Sequence, residues 1–304
     1  MYEWKKEKSM LSQKSYEDSA KGKLYLVPTP IGNLEDMTFR AINILKEVDL
    51  IAAEDTRQTQ KLLNHFEIQT PQTSFHEHNW QERIPQLVKK LEEGHMIAQV
   101  SDAGMPSISD PGFELTKAVI DARIPVIPLP GASAGVTALI ASGLVPQPFY
   151  FYGFLKRKKN EQLDELEELN TRSETIILYE SPHRLKMVLK HIQKVMGPNR
   201  KIVLARELTK RFEEFIRGTI AEVVAWSEET ELRGEFCLIL EGNKAPVLVE
   251  DTWNHFTISE HVQDIMEQDD VSSKEAIKSV AKLRGMKKQD VYAAFHQLSS
   301  FYLE

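Results

Sequence analysis

The 304-residue chain has a single cysteine, Cys237. One thiol excludes an intramolecular disulfide and any zinc site built from several cysteines. Cys237 lies in Glu235-Phe236-Cys237-Leu238-Ile239-Leu240, an apolar run that reads as a buried strand, so a core thiol is expected rather than a nucleophile. This cysteine usage favours a reducing, cytoplasmic setting. No apolar run is long enough to span a bilayer, and no membrane partner is expected. Residues 1–22 are polar, with Lys5, Lys6, Lys8, Glu3, Glu7, Glu17 and Asp18. They lack the apolar stretch of a signal peptide and read as a disordered arm. Acidic residues outnumber basic ones, 45 to 38, for a formal net charge of -7, which argues against phosphate binding over the whole surface. Two local basic patches stand out: Lys156-Arg157-Lys158-Lys159, and Lys274, Lys278, Lys282, Arg284, Lys287 and Lys288 near the C-terminus. Neither G-x-G-x-x-G nor G-x-x-x-x-G-K-[ST] occurs, so the usual phosphate-cradling loops are absent.

What remains is an ordinary globular composition, 41% hydrophobic and 27% charged, in a chain long enough for about two domains. From residue 23 to about 130, strand-like and helix-like segments alternate. Leu24–Val27, Leu50–Ala53, Gln72–Phe75, the run ending at Val100, and Pro125–Leu129 read as strands. Phe39–Lys46, capped by Asp36 or Thr38, and Glu82–Glu93 read as helices between them. This alternation predicts a largely parallel sheet covered on both faces. A second α/β set follows the helix at Ala132–Ser142, with strands at Phe149–Tyr152, Thr175–Tyr179, Lys201–Ala205, Phe212–Ile216 and Phe236–Leu240. Leu185, Val188, Leu189, Ile192 and Val195 form a helical stripe. Residues 244–257 read as a linker. Beyond it, Ala276, Val280 and Leu283, then Val291, Ala294, Phe295 and Leu298, recur at helical spacing. That pattern fits a small helix-turn-helix-like module with a basic face, and equally a helical pair packed on the main body.

Four loops fall where strands of the first set end: Pro28–Leu34, Ala53–Arg57, Ser101–Gly112 and Pro130–Ala134. A parallel sheet would gather them along one edge, around one cleft. The third loop, Ser101-Asp102-Ala103-Gly104-Met105-Pro106-Ser107-Ile108-Ser109-Asp110-Pro111-Gly112, is rich in small residues that let a ligand approach the main chain. Glu54-Asp55 with Asp102 and Asp110 raises a Mg²⁺-dependent hydrolase as one possibility. Thr56-Arg57 and Arg40 offer these acids ionic or hydrogen-bonding partners instead. His76 and His78 would share a face if on a strand, with substrate contact or hydrogen bonding favoured over metal ligation. Arg184, Arg206, Lys210 and Arg211, just after strands of the second set, are candidate phosphate contacts.

In this order, the loops resemble the tetrapyrrole-methylase-like class of S-adenosylmethionine enzymes, and within it the ribosomal RNA small subunit methyltransferase I family. The matching residues are Thr29–Leu34, Ala53–Arg57, Ser101–Pro106 with Ser109–Gly112, Pro130–Ser133, Tyr179–Arg184 and Ala205–Lys210. The resemblance spans about residues 23–243. It implies two α/β domains of tetrapyrrole methylase type (a class III methyltransferase), 23–131 and 132–243, with a small helical domain over 258–304. It also implies S-adenosylmethionine as cofactor and a homodimer. The implied reaction is 2′-O-methylation of a cytidine ribose in the decoding region of small-subunit rRNA. The cofactor contacts it implies are Pro30, Ser101, Asp102, Ala103, Gly104, Pro106, Ser133, Ala134, Glu207, Leu208 and Thr209.

The chemistry is compatible with these residue types. A sulfonium cation favours carbonyl oxygens and acids over a phosphate nest, and in-line methyl transfer rests on positioning. A ribose hydroxyl needs a base, or a cation that lowers its pKa. Glu54, Asp55, Arg57, Glu180 and Arg206 are the catalytic candidates. The alternatives are a methyltransferase of the same fold acting on a tetrapyrrole or other small molecule, and a non-catalytic ribosome-binding protein.

Overall fold

The computed structural model describes residues 10–16, 20–109, 112–244, 256–269 and 271–296. The chain divides into two compact units, Met1–Lys244 and Ala245–Glu304.

The first unit holds two five-stranded sheets. Strands β1 (Leu24–Leu26), β2 (Leu50–Ala53), β3 (Gln72–Ser74), β4 (Ile97–Val100) and β5 (Val126–Pro128) form the first. Helices α1 (Phe39–Glu47), α2 (Thr56–His65), α3 (Trp80–Glu92) and α4 (Phe113–Asp121) connect them. The strand order is β3-β2-β4-β1-β5, and every pairing is parallel. All four residues of β4 are buried, as expected of a strand covered on both faces. Leu45 and Leu63 pack on one face, and Leu87, Leu91, Leu115 and Val119 on the other.

Helix α1 starts at Thr38, whose hydroxyl accepts from Ala41 N at 3.1 Å. Helix α2 has no apolar stripe long enough to stand out in sequence. It forms because Asp55 caps it, Oδ1 accepting from Arg57 N at 2.8 Å, and because Thr59, Leu62 and Leu63 bury one short face. Residues 10–16 lie along the open edge of the sheet, in a segment that was expected to be disordered. The Gln13 side-chain amide pairs there with Val126, donating to its carbonyl and accepting from its N–H, both at 2.9 Å. It supplies β5 with the two hydrogen bonds a neighbouring strand would give. Of the rest of the expected arm, 20–22 are described, Gly22 N donating to the Leu91 carbonyl at 2.7 Å, and 1–9 and 17–19 lie outside the described residues.

The second sheet comprises β6 (Phe149–Phe154), β7 (Thr175–Glu180), β8 (Lys201–Arg206), β9 (Glu214–Thr219) and β10 (Phe236–Leu240). Its order is β6-β7-β10-β8-β9; β6 and β7 are parallel and the other pairs antiparallel. Strand β9 starts two residues later than Phe212, which is exposed. Helices α5 (Ala134–Ser142), α6 (Lys159–Asn170), α7 (Pro182–Met196) and α8 (Ile220–Glu229) flank this sheet. Even-numbered strand residues such as Ile176, Leu178, Leu204 and Leu238 face the core shared with α6, α7 and α8. Odd-numbered Ile177, Val203 and Ile239 meet Ala138 and Leu139 of α5. Helix α8 begins with a capping box, Thr219 and Glu222 each satisfying the other's backbone N–H.

The second unit contains α9 (Ile258–Asp269), α10 (Ser273–Leu283) and α11 (Lys288–Phe295), one helix more than the two stripes suggest. Val262, Ala276, Ile277, Val280 and Val291 make its core. Arg284 is held inside, Nε donating to His261 Nδ1 at 3.0 Å and Nη2 to the Phe256 carbonyl at 2.8 Å. It therefore does not join Lys274, Lys278, Lys287 and Lys288, which are exposed. Leu298 and most of the 244–257 linker lie outside the described residues.

Candidate active site

The first unit contains a cavity of about 650 Å³ where the loops after β1, β2 and β4 meet the odd-numbered face of the second sheet. That is within the range of small-molecule sites. Its floor is one row across the second sheet: Phe154 pairs with Tyr179, Tyr179 with Cys237, and Cys237 with Ala205. The next row along, Phe151-Ile177-Ile239-Val203, runs under α5. The floor lies on the same face as α5, which covers it in part, since Cys237 and Ala205 pack with Ala138 and Leu139.

A β-bulge between Phe151 and Gly153, with Gly153 at φ 84°, turns Phe154 to the same side as Phe151. Without the bulge, strand alternation would turn it to the opposite face. Phe151 and Phe154 pack edge-on against Tyr179, with centroids 5.2 and 5.6 Å away. Tyr179 Oη accepts from Gly135 N at 2.9 Å, which fixes the start of α5 over the sheet.

The opposite wall comes from the loop after β4. Thr29 and Gly104 exchange backbone hydrogen bonds of 3.0 Å in both directions, and Thr29 Oγ1 donates to the Ser101 carbonyl at 3.0 Å. This bridge ties the β1 and β4 loops together. Gly104 lies at φ 78°, and a Cβ there would stand 3.3 Å from Ile31 Cγ2; a side chain would be strained and crowded. Asp102, Ala103 and Gly104 line the cavity, as do Ser133, Ala134 and Leu208.

The remaining expected cofactor contacts do not line it, and each has a physical reason. Ser101 and Pro106 are buried within the loop, and Ser101 Oγ donates back to the Gly104 carbonyl at 3.3 Å. At Pro30 the neighbouring Ile31 is the lining residue. Glu207 and Thr209 flank Leu208 in left-handed conformations, φ 52° and 68°, which present Leu208 to the cavity and turn both neighbours away. Glu207 accepts from Lys210 Nζ and Glu235 N, both at 2.9 Å. Burial pushes its carboxyl up, but these two donors outweigh it and hold it below the ordinary range.

Among the catalytic candidates, Glu54 and Glu180 line the cavity, whereas Asp55, Arg57 and Arg206 do not. The Arg57 guanidinium grips Asp55 at 3.0 and 2.7 Å, and these bonds hold the Asp55 carboxyl down at about 2. Such a group is a weak base. Arg206 bends away to the Arg233 carbonyl at 2.9 Å and Glu214 at 3.3 Å. The other cations expected to meet phosphates are also engaged internally. Arg184 donates to the Leu155 and Lys156 carbonyls at 3.0 and 2.8 Å, and Lys210 joins Glu207 and Glu235. Arg211 is the exception: it is exposed, over the exposed Phe212 ring.

Asp102 is open to solvent on one side. Its other side loses water to the cavity wall, and Asp55 stands close; together these push its carboxyl up, although Oδ1 accepts from Asp55 N at 3.0 Å. Glu54 Oε2 accepts from Asp102 N at 3.3 Å. Among the described residues, the cavity is lined by four carboxyl side chains, Glu54, Asp102, Glu180 and Glu235, and by no lysine, arginine or histidine. Its field therefore favours a cationic ligand and disfavours a phosphate. No trio of His, Cys, Asp or Glu among the described residues is arranged to hold a metal ion. His76 and His78 do not sit on a strand, since β3 ends at Ser74. His76 belongs to a turn closed by Asn79 Oδ1, which accepts from His76 N at 2.9 Å.

The tetrapyrrole (corrin/porphyrin) methylase family profile matches residues 23–224. The ribosomal RNA small subunit methyltransferase I of Bacillus subtilis is 55% identical over 277 residues, covering 90% of this chain and 94% of that protein. Its counterpart in Halalkalibacterium halodurans is 53% identical over 290 residues, covering 95% and 100%. The chain belongs to the ribosomal RNA small subunit methyltransferase I family. The solved structure of a cobalt precorrin-4 methyltransferase shares the fold, with a TM-score of 0.56 at 17% identity over 72% of this chain and 94% of that one. Within this family fold, sequence reasoning missed the aromatic side of the cavity: Phe149, Phe151, Phe154 and Phe236, with Val136 and Ile108. The available signal was the alternation Phe149-Tyr150-Phe151-Tyr152, which places 149 and 151 on one face.

Cys237 is 5% exposed yet belongs to the cavity floor, and burial pushes its thiol up to about 12. At pH 8 it is a protonated thiol and a poor nucleophile. Ellman's reagent should release less than 0.1 equivalent from the folded protein over about an hour and one equivalent once guanidinium unfolds it.

Proposed function

We propose that the chain transfers a methyl group from S-adenosylmethionine to the ribose 2′-hydroxyl of a cytidine in the decoding region of 16S rRNA, acting on the small ribosomal subunit in the cytoplasm. The observation that carries this reading is the four-carboxyl, cation-free lining of the cavity, taken with the names of the two bacterial relatives. A sulfonium is attracted by that field. A tetrapyrrole with carboxylate arms would meet the like charge of Glu54 and Asp102 there, which speaks against the small-molecule reading. A ribosomal RNA would insert one nucleoside and leave its phosphates outside.

The lining fits the cofactor. Gly104, Ala103, Ser133 and Ala134 present main chain and small side chains to it, and Leu208 and the aromatic floor offer apolar contact. Bound S-adenosylmethionine supplies an electrophilic methyl carbon. Glu54 and Asp102 set the charge beside it, and Phe151, Tyr179 and Leu208 exclude water. The Asp102 carboxyl, raised from its ordinary value, accepts the proton of the ribose hydroxyl. Arg57 assists indirectly, by keeping Asp55 ionised next to Asp102.

The direct test is to incubate the protein with methyl-labelled S-adenosylmethionine and small subunits from a strain lacking the modification, then map the label. It should appear on one cytidine ribose; label on a base, or none, would overturn the reading. Asp102→Asn should lower the transfer rate by about 10²- to 10⁴-fold while S-adenosylhomocysteine affinity stays within a few-fold by calorimetry. The sign with pH follows from the raised carboxyl. Wild-type rate should fall as pH drops through a range above that of ordinary aspartates, because protonated Asp102 cannot accept a proton, and the variant should lack that limb.

The proposal extends to two partners. Lys274, Lys278, Lys287 and Lys288 are exposed on the helical unit, and they add an electrostatic contact with rRNA. Reversing all four to Glu should weaken small-subunit binding and flatten its salt dependence, with S-adenosylhomocysteine binding unchanged. Helix α5 contains no charged residue and leaves Ile140, 74% exposed, open to solvent. An apolar outer face of this kind suits a second copy of the chain. Ile140→Glu should convert a dimer to a monomer in sedimentation equilibrium, whereas an unaltered mass would remove this face from the interface.

A further inference from the structure

Beside the cavity lies an open groove of about 710 Å³, between the loops after β1 and β8 and the end of α2. It continues the cavity along two stretches of chain. Ile31 and Leu208 line the cavity, and the residue that follows each, Gly32 and Thr209, lines the groove. The two loops are locked together at this junction. Gly32 lies at φ 144°, and a Cβ there would collide with the Lys210 side chain, which Glu207 and Glu235 hold at 2.9 Å each. The charges change across the junction. Among the described residues the cavity has carboxyl groups and no cation, whereas the groove has His65, Lys210 and Arg211 with one carboxyl side chain, Glu35. Lys210 is matched by its two glutamates, but Arg211 is exposed. Among the described residues it donates no hydrogen bond and forms no ion pair; its guanidinium lies 5.4 Å from the Phe212 ring. Glu213, next along, turns back to accept from Thr209 N at 2.7 Å. Phe212 itself is 72% exposed, so its ring forgoes burial that a stacked partner would recover.

We infer that this groove takes the nucleotide next to the methylated one in the rRNA strand. With the target nucleoside in the cavity, the strand has to leave over the rim, and the groove continues that rim along both loops. The flanking phosphate meets Arg211, whose planar fork of donors matches it. The flanking base stacks on Phe212, as unpaired bases stack on exposed aromatic side chains. The guanidinium already over the ring holds the pair ready for both contacts. A phenyl ring carries no donor or acceptor, so this contact requires an unpaired strand and tolerates any base. Lys210 has a different part: spent on two glutamates, it keeps the loops in register. The inference rests on the methyl-transfer reading above. A second copy of the chain would also cover Phe212, but it would leave unexplained why an unpaired arginine adjoins the cavity, and the experiment separates the two.

Affinity for unmodified small subunits is read from the fluorescence anisotropy of end-labelled protein, alongside initial methylation rates. Arg211→Ala should weaken binding about tenfold at low salt and lower the slope of log affinity against log salt by about 1. Phe212→Ala should weaken it about five- to a hundredfold with the salt slope unchanged, and Phe212→Trp should restore it. In both losses the effect should fall on KM for small subunits rather than on kcat. Both side chains are exposed, so the melting temperature should hold, and S-adenosylhomocysteine should bind within about twofold of wild type. Lys201→Ala, which removes an exposed cation at the opposite end of β8, should bind small subunits as wild type does. Wild-type affinity in both Arg211→Ala and Phe212→Ala overturns the inference. So does an equal loss in Lys201→Ala, which would mean diffuse attraction by any surface cation. A fall from dimer to monomer in sedimentation of Phe212→Ala would assign the ring to a second copy and overturns it too. If Phe212→Ala does not fold, Arg211→Ala against Lys201→Ala still decides. Wild-type protein that neither binds nor methylates small subunits would sink the methyl-transfer reading and this one with it; methylation by wild type with both variants unaltered would sink this one alone.

Discussion

The second sheet presents more apolar surface on its odd-numbered face than α5 can cover. That mismatch generates the site. Under α5, Ile177, Val203 and Ile239 are sealed against Ala138 and Leu139, and the hydrophobic gain there holds the helix in place. One row further along, Tyr179, Cys237 and Ala205 continue the same apolar surface, which α5 covers only in part, and line the cavity. The loops of the first sheet, linked by the Thr29–Gly104 bridge, close over this row from the other side. A ligand completes the burial that the chain leaves unfinished. The Tyr179 hydroxyl, bonded to Gly135 N, sets where the helix ends and the cavity begins.

Charge is sorted with equal consequence. Arg184, Arg206 and Lys210 each follow a buried strand, and each turns to carbonyls or acids of its own domain. Arg57 does the same with Asp55. The lining is left with carboxyl groups only. In a partly desolvated space that field is screened far less than on the open surface, so it discriminates strongly between a sulfonium and a phosphate. Exposed cations are found outside, at Lys156–Lys159 and on the helical unit, with Lys156 and Lys158 each beside a glutamate. On the proposed reading, this division lets an acidic protein serve an RNA: the interior would take a cation and a nucleoside, and the exterior would meet the phosphates.

Much of the fold was legible in the residue pattern. The strands of both sheets and the long helices follow from period-two and period-3.6 apolar spacing, and of the two expected caps of α1, Asp36 and Thr38, it is Thr38 that caps. Helices α2 and α8 were not foreseen. In α2 the buried face is short and the segment otherwise polar; in α8 the capping box at Thr219 and Glu222 was there to be read. The helix not foreseen in the C-terminal unit is α9, although its Ile258, Val262, Ile265 and Met266 recur at helical spacing. At the site, the loops were legible as loops. Which of their residues face the cavity was not: Glu54, Asp102 and Leu208 do, while Asp55, Glu207 and Thr209, their neighbours, turn to internal partners.

The sequence by itself determined the parallel first sheet, the mixed second sheet, the gathering of loops at strand ends and the family. These rest on local propensity, periodicity and short motifs, each contained within a few consecutive residues. Only the tertiary structure decided that the aromatic residues of β6 and the lone thiol of β10 share one floor. Only it decided that three expected cations are spent internally, and that Arg211, the fourth, stays exposed in a groove beside the cavity. Those outcomes depend on cross-strand register, on a bulge of one residue at Gly153, and on which partner lies within hydrogen-bonding reach across tens of residues of chain.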